Sequence, residues 1–101
     1  MKFFEFNDYE YYALILAEDE DNAMVGYIEV VADIEEEEKI LHPNVISIEE
    51  ALKRYVKATI EGCETEKEKI RDFHKQISNF EKYVSKGTEP YIVFLVDGSL
   101  V

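Results

Sequence analysis

The sequence has few of the residues from which crosslinks and cofactor sites are built. Its single cysteine, Cys63, excludes a disulfide within the chain and favours a reducing compartment. With only four glycines and no glycine-rich loop, a phosphate-binding cradle is not expected. No apolar run approaches the ~20 residues of a membrane-spanning helix, and acids appear too early in the chain for a signal peptide. We therefore expect a soluble, cytoplasmic protein.

Basic residues are scarce in the first half of the chain. Residues 1–50 contain 15 acids and two lysines, whereas residues 51–101 contain eight acids and nine bases, and the net charge is −12. Nucleic-acid affinity comes mainly from Lys and Arg at phosphates, and anionic membranes repel an acidic surface. We expect neither direct nucleic-acid binding nor membrane binding.

Apolar residues are plentiful enough for a folded core. The 101 residues are 47% hydrophobic and include seven tyrosines and six phenylalanines, which is too rich for a disordered chain. The length is that of one domain. We expect a single α+β domain over residues 1–101, with its acids in solvent.

Three segments have the composition of β-strands. Lys2–Phe6 and Tyr11–Ala17 flank the turn-forming Asn7-Asp8, which predicts a hairpin or one long strand bent at this point. The apolar residues of the second segment do not alternate with polar ones, as in a strand covered on both faces. Tyr91–Val96 is the most apolar segment, and its composition favours a central strand.

Residues 22–33 contain strand-forming residues, but their polar positions indicate a helix. Asn22, Gly26, Glu29 and Asp33 recur every three or four residues, the spacing of one helix face. Either Asp19 or Asp21 can cap the start. The opposite stripe, expected in the core, contains Ala23, Met24, Tyr27, Ile28 and Val31.

Two further helices begin at capping boxes. Ser47 with Glu50 and Thr65 with Glu68 have the required spacing, and Gly62 and Gly87 are the expected stops. Residues 35–45 between helices are predicted to be an acidic loop. The third helix has an apolar stripe of Ile70, Phe73, Ile77, Phe80 and Val84.

These elements predict an α+β fold with the chain order β-β-α-α-α-β. Its three-stranded, mainly antiparallel sheet has three helices packed on it, and the strand order is not determined by the sequence. Because a bare sheet face would be unusual in a soluble monomer, we expect a homodimer. Either the free sheet face or the third helix's apolar stripe would form its interface.

Two dense acidic runs are the candidate partner-binding surface. Counting an EF-hand loop from Asp19 puts Met24 where glycine is needed and Val30 where glutamate is needed, so no calcium loop is predicted. The runs are typical of a helix start and a solvated loop. The residues that could bind a basic protein are Glu18, Asp19, Glu20, Asp21, Glu35, Glu36, Glu37 and Glu38.

No other residue pattern indicates chemistry. His42 and His74 have no Cys or second His at metal-ligand spacing, and Cys63 is expected to be a packed thiol. Catalytic motifs are absent, so we predict no catalytic, cofactor-binding or metal-binding residue and no enzyme activity.

Three segments together resemble a known group of proteins. They are Tyr11-Tyr12-Ala13-Leu14-Ile15 leading to Ala17-Glu18-Asp19, then Tyr27 to Ile34 ending in Val31-Ala32-Asp33-Ile34, and Val96-Asp97-Gly98-Ser99-Leu100. This combination is similar to small, uncharacterised acidic proteins carried by phages and conjugative elements of Gram-positive bacteria. The resemblance covers both ends of the chain, implies an accessory protein and adds no site residue.

The function expected from the sequence is therefore an interaction with another protein. The first hypothesis is a non-enzymatic accessory factor whose acidic half meets a basic partner. The alternative is a nucleic-acid mimic that inhibits a DNA-binding enzyme, which needs a dense and rigid array of carboxylates.

Overall fold

The computed structural model describes residues 1–58, 60, 62–85 and 90–96, with the side chains of 83–85 excepted. Within these residues the chain forms four strands, three α-helices and two short helical turns. In chain order they are β1 (Lys2–Glu5), β2 (Ala13–Ala17), α1 (Glu20–Gly26), a π-helical turn (Tyr27–Val31), a 3₁₀ turn (Glu36–Glu38), β3 (Asn44–Ile46), α2 (Ile48–Lys57), α3 (Glu66–Ser85) and β4 (Tyr91–Val96).

The four strands form one antiparallel sheet in the order β3-β1-β2-β4. The predicted α+β class and the antiparallel sheet are confirmed, and the hairpin alternative for β1 and β2 is correct. The prediction of three strands is wrong, because Asn44–Ile46 pairs with β1 where a loop was expected. Its three residues are too few to show a period of two, and their pairing partner lies far away in sequence.

Helices cover both faces of the sheet. Successive side chains of a strand point to opposite faces, so Phe3 packs on the α2–α3 side against Phe73, with ring centroids 5.5 Å apart, while Phe4 packs on the α1 side. All five residues of β2 are buried, which confirms the expected cover on both sides. The sheet face proposed for a homodimer is thus covered within one chain, and the dimer stays a prediction without this support.

β4 is the last strand in the order of the described sheet, not a central one as predicted. A register shift between Leu14 and Ile15 leaves Phe94 as an extra residue, because Leu14 lies opposite Leu95 and Ile15 lies opposite Val93. Phe94 and Leu95 consequently both join the core on the α2–α3 side. The strand's apolar composition reflects burial by helices rather than a central position.

The helix predicted between residues 22 and 33 exists, but its geometry changes midway. Asp19 caps α1 by accepting the N–H of Asn22 at 2.9 Å. After Gly26 the chain forms a π-helical turn, in which the N–H of Ala32 donates to the carbonyl of Tyr27 at 3.1 Å. Ile28 of the predicted core stripe is 46% exposed, and the buried face consists of Ala23, Gly26 and Tyr27 instead.

Gly26 does not lie on a polar face as predicted. It is buried against β4, where a methyl group at its Cα would lie 2.7 Å from Cδ1 of Tyr91. The small residue therefore permits close approach of α1 to the sheet.

Both predicted capping residues of α2 and α3 are confirmed. The N–H of Glu50 donates to the Ser47 hydroxyl at 3.1 Å, and that of Glu68 donates to the Thr65 hydroxyl at 3.2 Å. α2 ends at Lys57, before the predicted stop at Gly62. Lys69 of α3 donates to the carbonyls of Val56 and Ala58, satisfying the end of α2.

The apolar stripe of α3 faces the core rather than solvent. Phe73 and Phe80 are buried, and Ile70 and Ile77 are half-buried. Val84 and the predicted stop at Gly87 lie outside the described side chains and residues. The four described residues of this second surface proposed for a homodimer thus pack wholly or partly within the chain. No helix in the described part of the chain is long and apolar enough to cross a membrane.

Candidate functional site: an acidic face around Tyr9

The two acidic runs predicted as a partner surface meet around Tyr9. Its ring packs on Phe6 and Tyr27, and its hydroxyl donates to the carbonyl of Leu41 at 3.0 Å. Nearby, a Glu20 carboxylate oxygen lies 2.8 Å from Nδ1 of His42. These contacts join the start of α1 to the segment that follows the 3₁₀ turn.

The electrostatic environment of Tyr9 identifies which acids surround it. The pKa of its hydroxyl is raised to about 12, first by burial and then by the charges of Glu20, Glu38 and Asp8. One acid comes from each of three segments: the β1–β2 loop, the start of α1 and the 3₁₀ turn. We group the exposed or half-buried acids of these three segments under the name acidic face; they are Asp8, Glu10, Glu18, Asp19, Glu20, Asp21, Glu35, Glu36 and Glu37.

Glu38 is placed at this face but has a structural role. It is only 7% exposed, and its two carboxylate oxygens accept the backbone N–H of Glu35 at 2.9 Å and that of Glu10 at 2.6 Å. Hydrogen bonds to ionised acceptors are among the stronger ones in proteins. Glu38 therefore fastens the 3₁₀ turn to the β1–β2 loop and is not exposed to a partner.

The remaining acids of the two runs differ in what they contact. Asp19 caps α1, Glu20 contacts His42, and Glu36 pairs with Lys39 at 2.9 Å. The other four are exposed, and no ion pair with a described residue involves them. They are Glu18, Asp21, Glu35 and Glu37.

Tyr27 anchors α1 beneath this surface. It is fully buried and stacks on Phe6 with ring centroids 4.8 Å apart. Its hydroxyl donates to the carbonyl of Tyr11 at 3.0 Å and accepts the N–H of the same residue at 3.3 Å. The segments that carry the acidic face therefore pack on a buried aromatic layer, which consists of Phe6, Tyr9 and Tyr27.

A buried ion pair on the other side of the sheet was not predicted. Glu5 is 4% exposed and accepts hydrogen bonds from Arg54 Nε and the Tyr12 hydroxyl, both at 2.7 Å. The hydrogen bond to Glu5 raises the pKa of Arg54, and burial raises that of Tyr12. Since Oε2 of Glu5 accepts from both Tyr12 and Arg54 of α2, this cluster stabilises the fold.

Cys63 lies beside a second polar cluster between α2 and α3. The buried Tyr55 hydroxyl donates to Asp72, and Gln76 donates to both of them at 3.0 and 2.7 Å. Burial, followed by the charge of Asp72, raises the pKa of the Cys63 thiol. A raised pKa keeps the sulfur protonated at neutral pH and therefore weakly nucleophilic.

The described residues contain no group of three or more His, Cys, Asp or Glu that could hold a metal ion. A shallow cleft of about 210 Å³ beside Cys63 is lined by charged residues of both signs, and these are Glu68, Arg71, Asp72 and Lys75. None of the residues that line this cleft belongs to the acidic face.

A sequence model of one protein family, described as the YosH C-terminal domain, matches residues 1–86. The chain belongs to this family. No curated protein and no solved structure matches the chain. The family description gives a position in a protein and no activity.

The YosH C-terminal domain match contains the whole acidic face and its supporting aromatic layer. It extends over β1 to α3 and ends before β4. The elements that carry the acidic face therefore lie within the matched region, whereas β4 lies outside it.

The acids are evident in the sequence, but their arrangement is not. Glu38 cannot be separated from its three neighbours by composition, because its role depends on Glu10, which is 28 positions away. The aromatic residues Tyr9 and Tyr27 were the available signal, since a buried tyrosine packs its ring and hydrogen-bonds its hydroxyl.

Proposed function

We propose that this domain is a non-enzymatic interaction module whose acidic face binds a basic surface of a protein partner. The supporting observation is that contacts link the two acidic runs, which are separated in sequence. Glu38 accepts the N–H of Glu10 at 2.6 Å, and Glu20 lies 2.8 Å from His42. A concentrated negative surface attracts basic partners over a distance and speeds their association.

The attachment of the acidic face supports this proposal. Glu38 holds the 3₁₀ turn to the β1–β2 loop, and the Tyr9 hydroxyl holds the carbonyl of Leu41. A surface that is ordered before binding loses less conformational entropy when a partner docks. Acids that served only for solubility would need no such attachment.

The interaction module is preferred to a nucleic-acid mimic. B-DNA presents one charge per ~1.7 Å of its axis, so a mimic needs a comparably dense array of free carboxylates. In the second acidic run Glu38 is buried and Glu36 is paired with Lys39, which leaves Glu35 and Glu37 free of described ion pairs. Four free acids over two runs are too sparse for this role.

The resemblance to acidic proteins of phages and conjugative elements supports an accessory role for the same module. We propose that the protein bound at the acidic face is not a second copy of this chain, because two copies with a net charge of −12 repel each other.

Affinity capture with matched charge variants tests the proposed function. The acidic-face variant replaces Glu18, Glu35 and Glu37 with Gln and Asp21 with Asn. The control variant removes the same charge elsewhere, by Gln at Glu49, Glu64, Glu66 and Glu81, which are also exposed. Captured proteins are identified by mass spectrometry, purified and titrated against each variant.

We expect wild-type protein and the control to bind the purified partner with similar, salt-sensitive affinity. The acidic-face variant should bind it far more weakly. Equal binding by all three proteins, or equal loss in both variants, would contradict the proposed function.

A further inference from the structure

The outer face of α1 and the π-helical turn exposes aliphatic side chains. Val25 is 41% exposed, Ile28 is 46% exposed and Val30 is 54% exposed. Val25 and Ile28 are three residues apart and therefore neighbours on a helical surface. Single exposed aliphatic residues are common, but a contiguous group on one helix often marks an interaction site.

Acids border this aliphatic pair on two sides. Asp21 precedes Val25 by four residues and Glu29 follows it by four, so both lie on the same helical face. The Tyr91 hydroxyl of β4 donates to Glu29 at 3.0 Å and fixes the position of that carboxylate. We call Asp21, Val25, Ile28 and Glu29 the α1 face.

Ile28 lies in the π-helical turn. Ala23, Gly26 and Tyr27 face the core, so the side chain of Ile28 is directed to solvent. Such turns are rare and occur frequently at functional sites.

We propose that the α1 face binds an amphipathic helix of a protein partner, with an aliphatic stripe flanked by Lys or Arg. The stripe covers Val25 and Ile28, and the basic residues face Asp21 and Glu29. This inference rests on the proposed function and names the shape and chemistry of the partner. Helical recognition follows from the spacing, because exposed residues three and four apart fit between the side chains of a second helix.

Charge decides between the alternative occupants. A second copy would bring another net charge of −12 to the same face, and an anionic membrane would be repelled by the same carboxylates. A helix with flanking bases satisfies both the aliphatic centre and the acidic border.

Two synthetic peptides test the inference. One consists of leucine and lysine with the leucines at helical spacing, and the other has the same composition in scrambled order. Each is titrated by calorimetry into wild-type protein, into the Val25→Gln/Ile28→Gln variant and into the control Val45→Gln/Ile48→Gln. The control pair is similarly exposed, at 57% and 48%, but lies on β3 and α2.

We expect wild-type protein and the control to prefer the amphipathic peptide. The Val25→Gln/Ile28→Gln variant should bind the amphipathic peptide on the order of tenfold more weakly than wild-type protein does. Its affinity for the scrambled peptide should equal that of wild-type protein. Circular dichroism checks the fold, and Val25→Thr/Ile28→Thr replaces the glutamine variant if that protein unfolds.

The outcomes separate the inference from the proposed function. Equal binding of both peptides, unchanged in Val25→Gln/Ile28→Gln but weakened in the acidic-face variant, would overturn the inference and leave the proposed function standing. Failure of both peptides to bind wild-type protein at low salt would contradict both. Preferential binding of wild-type protein to neutral phosphatidylcholine vesicles would also overturn the inference.

Discussion

The carboxylate of Glu38 accepts the backbone N–H of Glu10 at 2.6 Å, joining two segments that are 28 positions apart. Its other oxygen accepts the N–H of Glu35 at 2.9 Å. One buried acid thus holds the 3₁₀ turn in place, and the exposed acids of that turn are presented beside the start of α1.

Glu38→Ala should lower the free energy of unfolding by ~2 kcal/mol, because two partly buried N–H groups lose their acceptor. Glu37→Ala, on the exposed side of the same turn, should change it by less than ~0.5 kcal/mol. Urea denaturation of the two variants measures both values. A Glu38 variant as stable as the Glu37 variant would show that these hydrogen bonds contribute nothing to stability.

Gly26→Ala should destabilise the protein by ~1–3 kcal/mol, because the added methyl group meets the Tyr91 ring and forces the packing apart. The increase in helix propensity from glycine to alanine would act in the opposite direction in an open helix. Thermal unfolding shows whether the variant is less or more stable than wild-type protein. A stabilised Gly26→Ala variant would contradict the close approach of α1 to β4.

Phe94→Ala should cost ~3–5 kcal/mol, since Phe94 contacts three aromatic rings in the α2–α3 core. Val45→Ala on β3 is the matched strand control, because Val45 is 57% exposed and should be nearly neutral. Denaturant titration measures the free energy of unfolding of both variants. A loss below about 1 kcal/mol for Phe94→Ala would place this residue outside the core.

The protein should lose stability in alkaline solution, above pH 10. Burial raises the pKa of Tyr9 from 10.0 to about 12, and it raises those of Tyr12, Tyr27 and Tyr55 in the same direction. Above pH 10 the unfolded chain releases these protons more readily than the folded one, so the free energy of unfolding falls as pH rises.

Tyr9→Phe should make this decline less steep between pH 10 and pH 12, the window set by the raised pKa of Tyr9. The same change should cost about 1 kcal/mol at neutral pH, because it removes the hydrogen bond to Leu41. Denaturation at a series of pH values measures the slope. A variant and wild-type protein with parallel curves would contradict the buried position of the hydroxyl.

The fold could be predicted from sequence where its causes are local. The caps at Ser47 and Thr65 depend on residues three positions away, so the starts of α2 and α3 were predictable. β3 depends on pairing with β1, and three residues contain no sheet signal of their own. Ile28 is exposed because Gly26 belongs to the buried face instead, and the approach of Gly26 to Tyr91 depends on tertiary packing.

The same distinction applies to the candidate site. Sequence density identified the two acidic runs, but their meeting at Tyr9 depends on tertiary packing of the β1–β2 loop against α1. Glu38 is buried and Glu37 is exposed because the carboxylate of Glu38 accepts the N–H of Glu10. This difference cannot be predicted from two adjacent glutamates in the sequence.

The most direct test of the acidic face is a chemical-shift titration. Backbone amides of the assigned protein are followed by NMR while the purified partner from affinity capture is added at physiological salt. We expect the largest changes at residues 8–10, 18–21 and 35–42, with the α3 amides unaffected. Changes centred on α3, with these three segments unperturbed, would contradict the account.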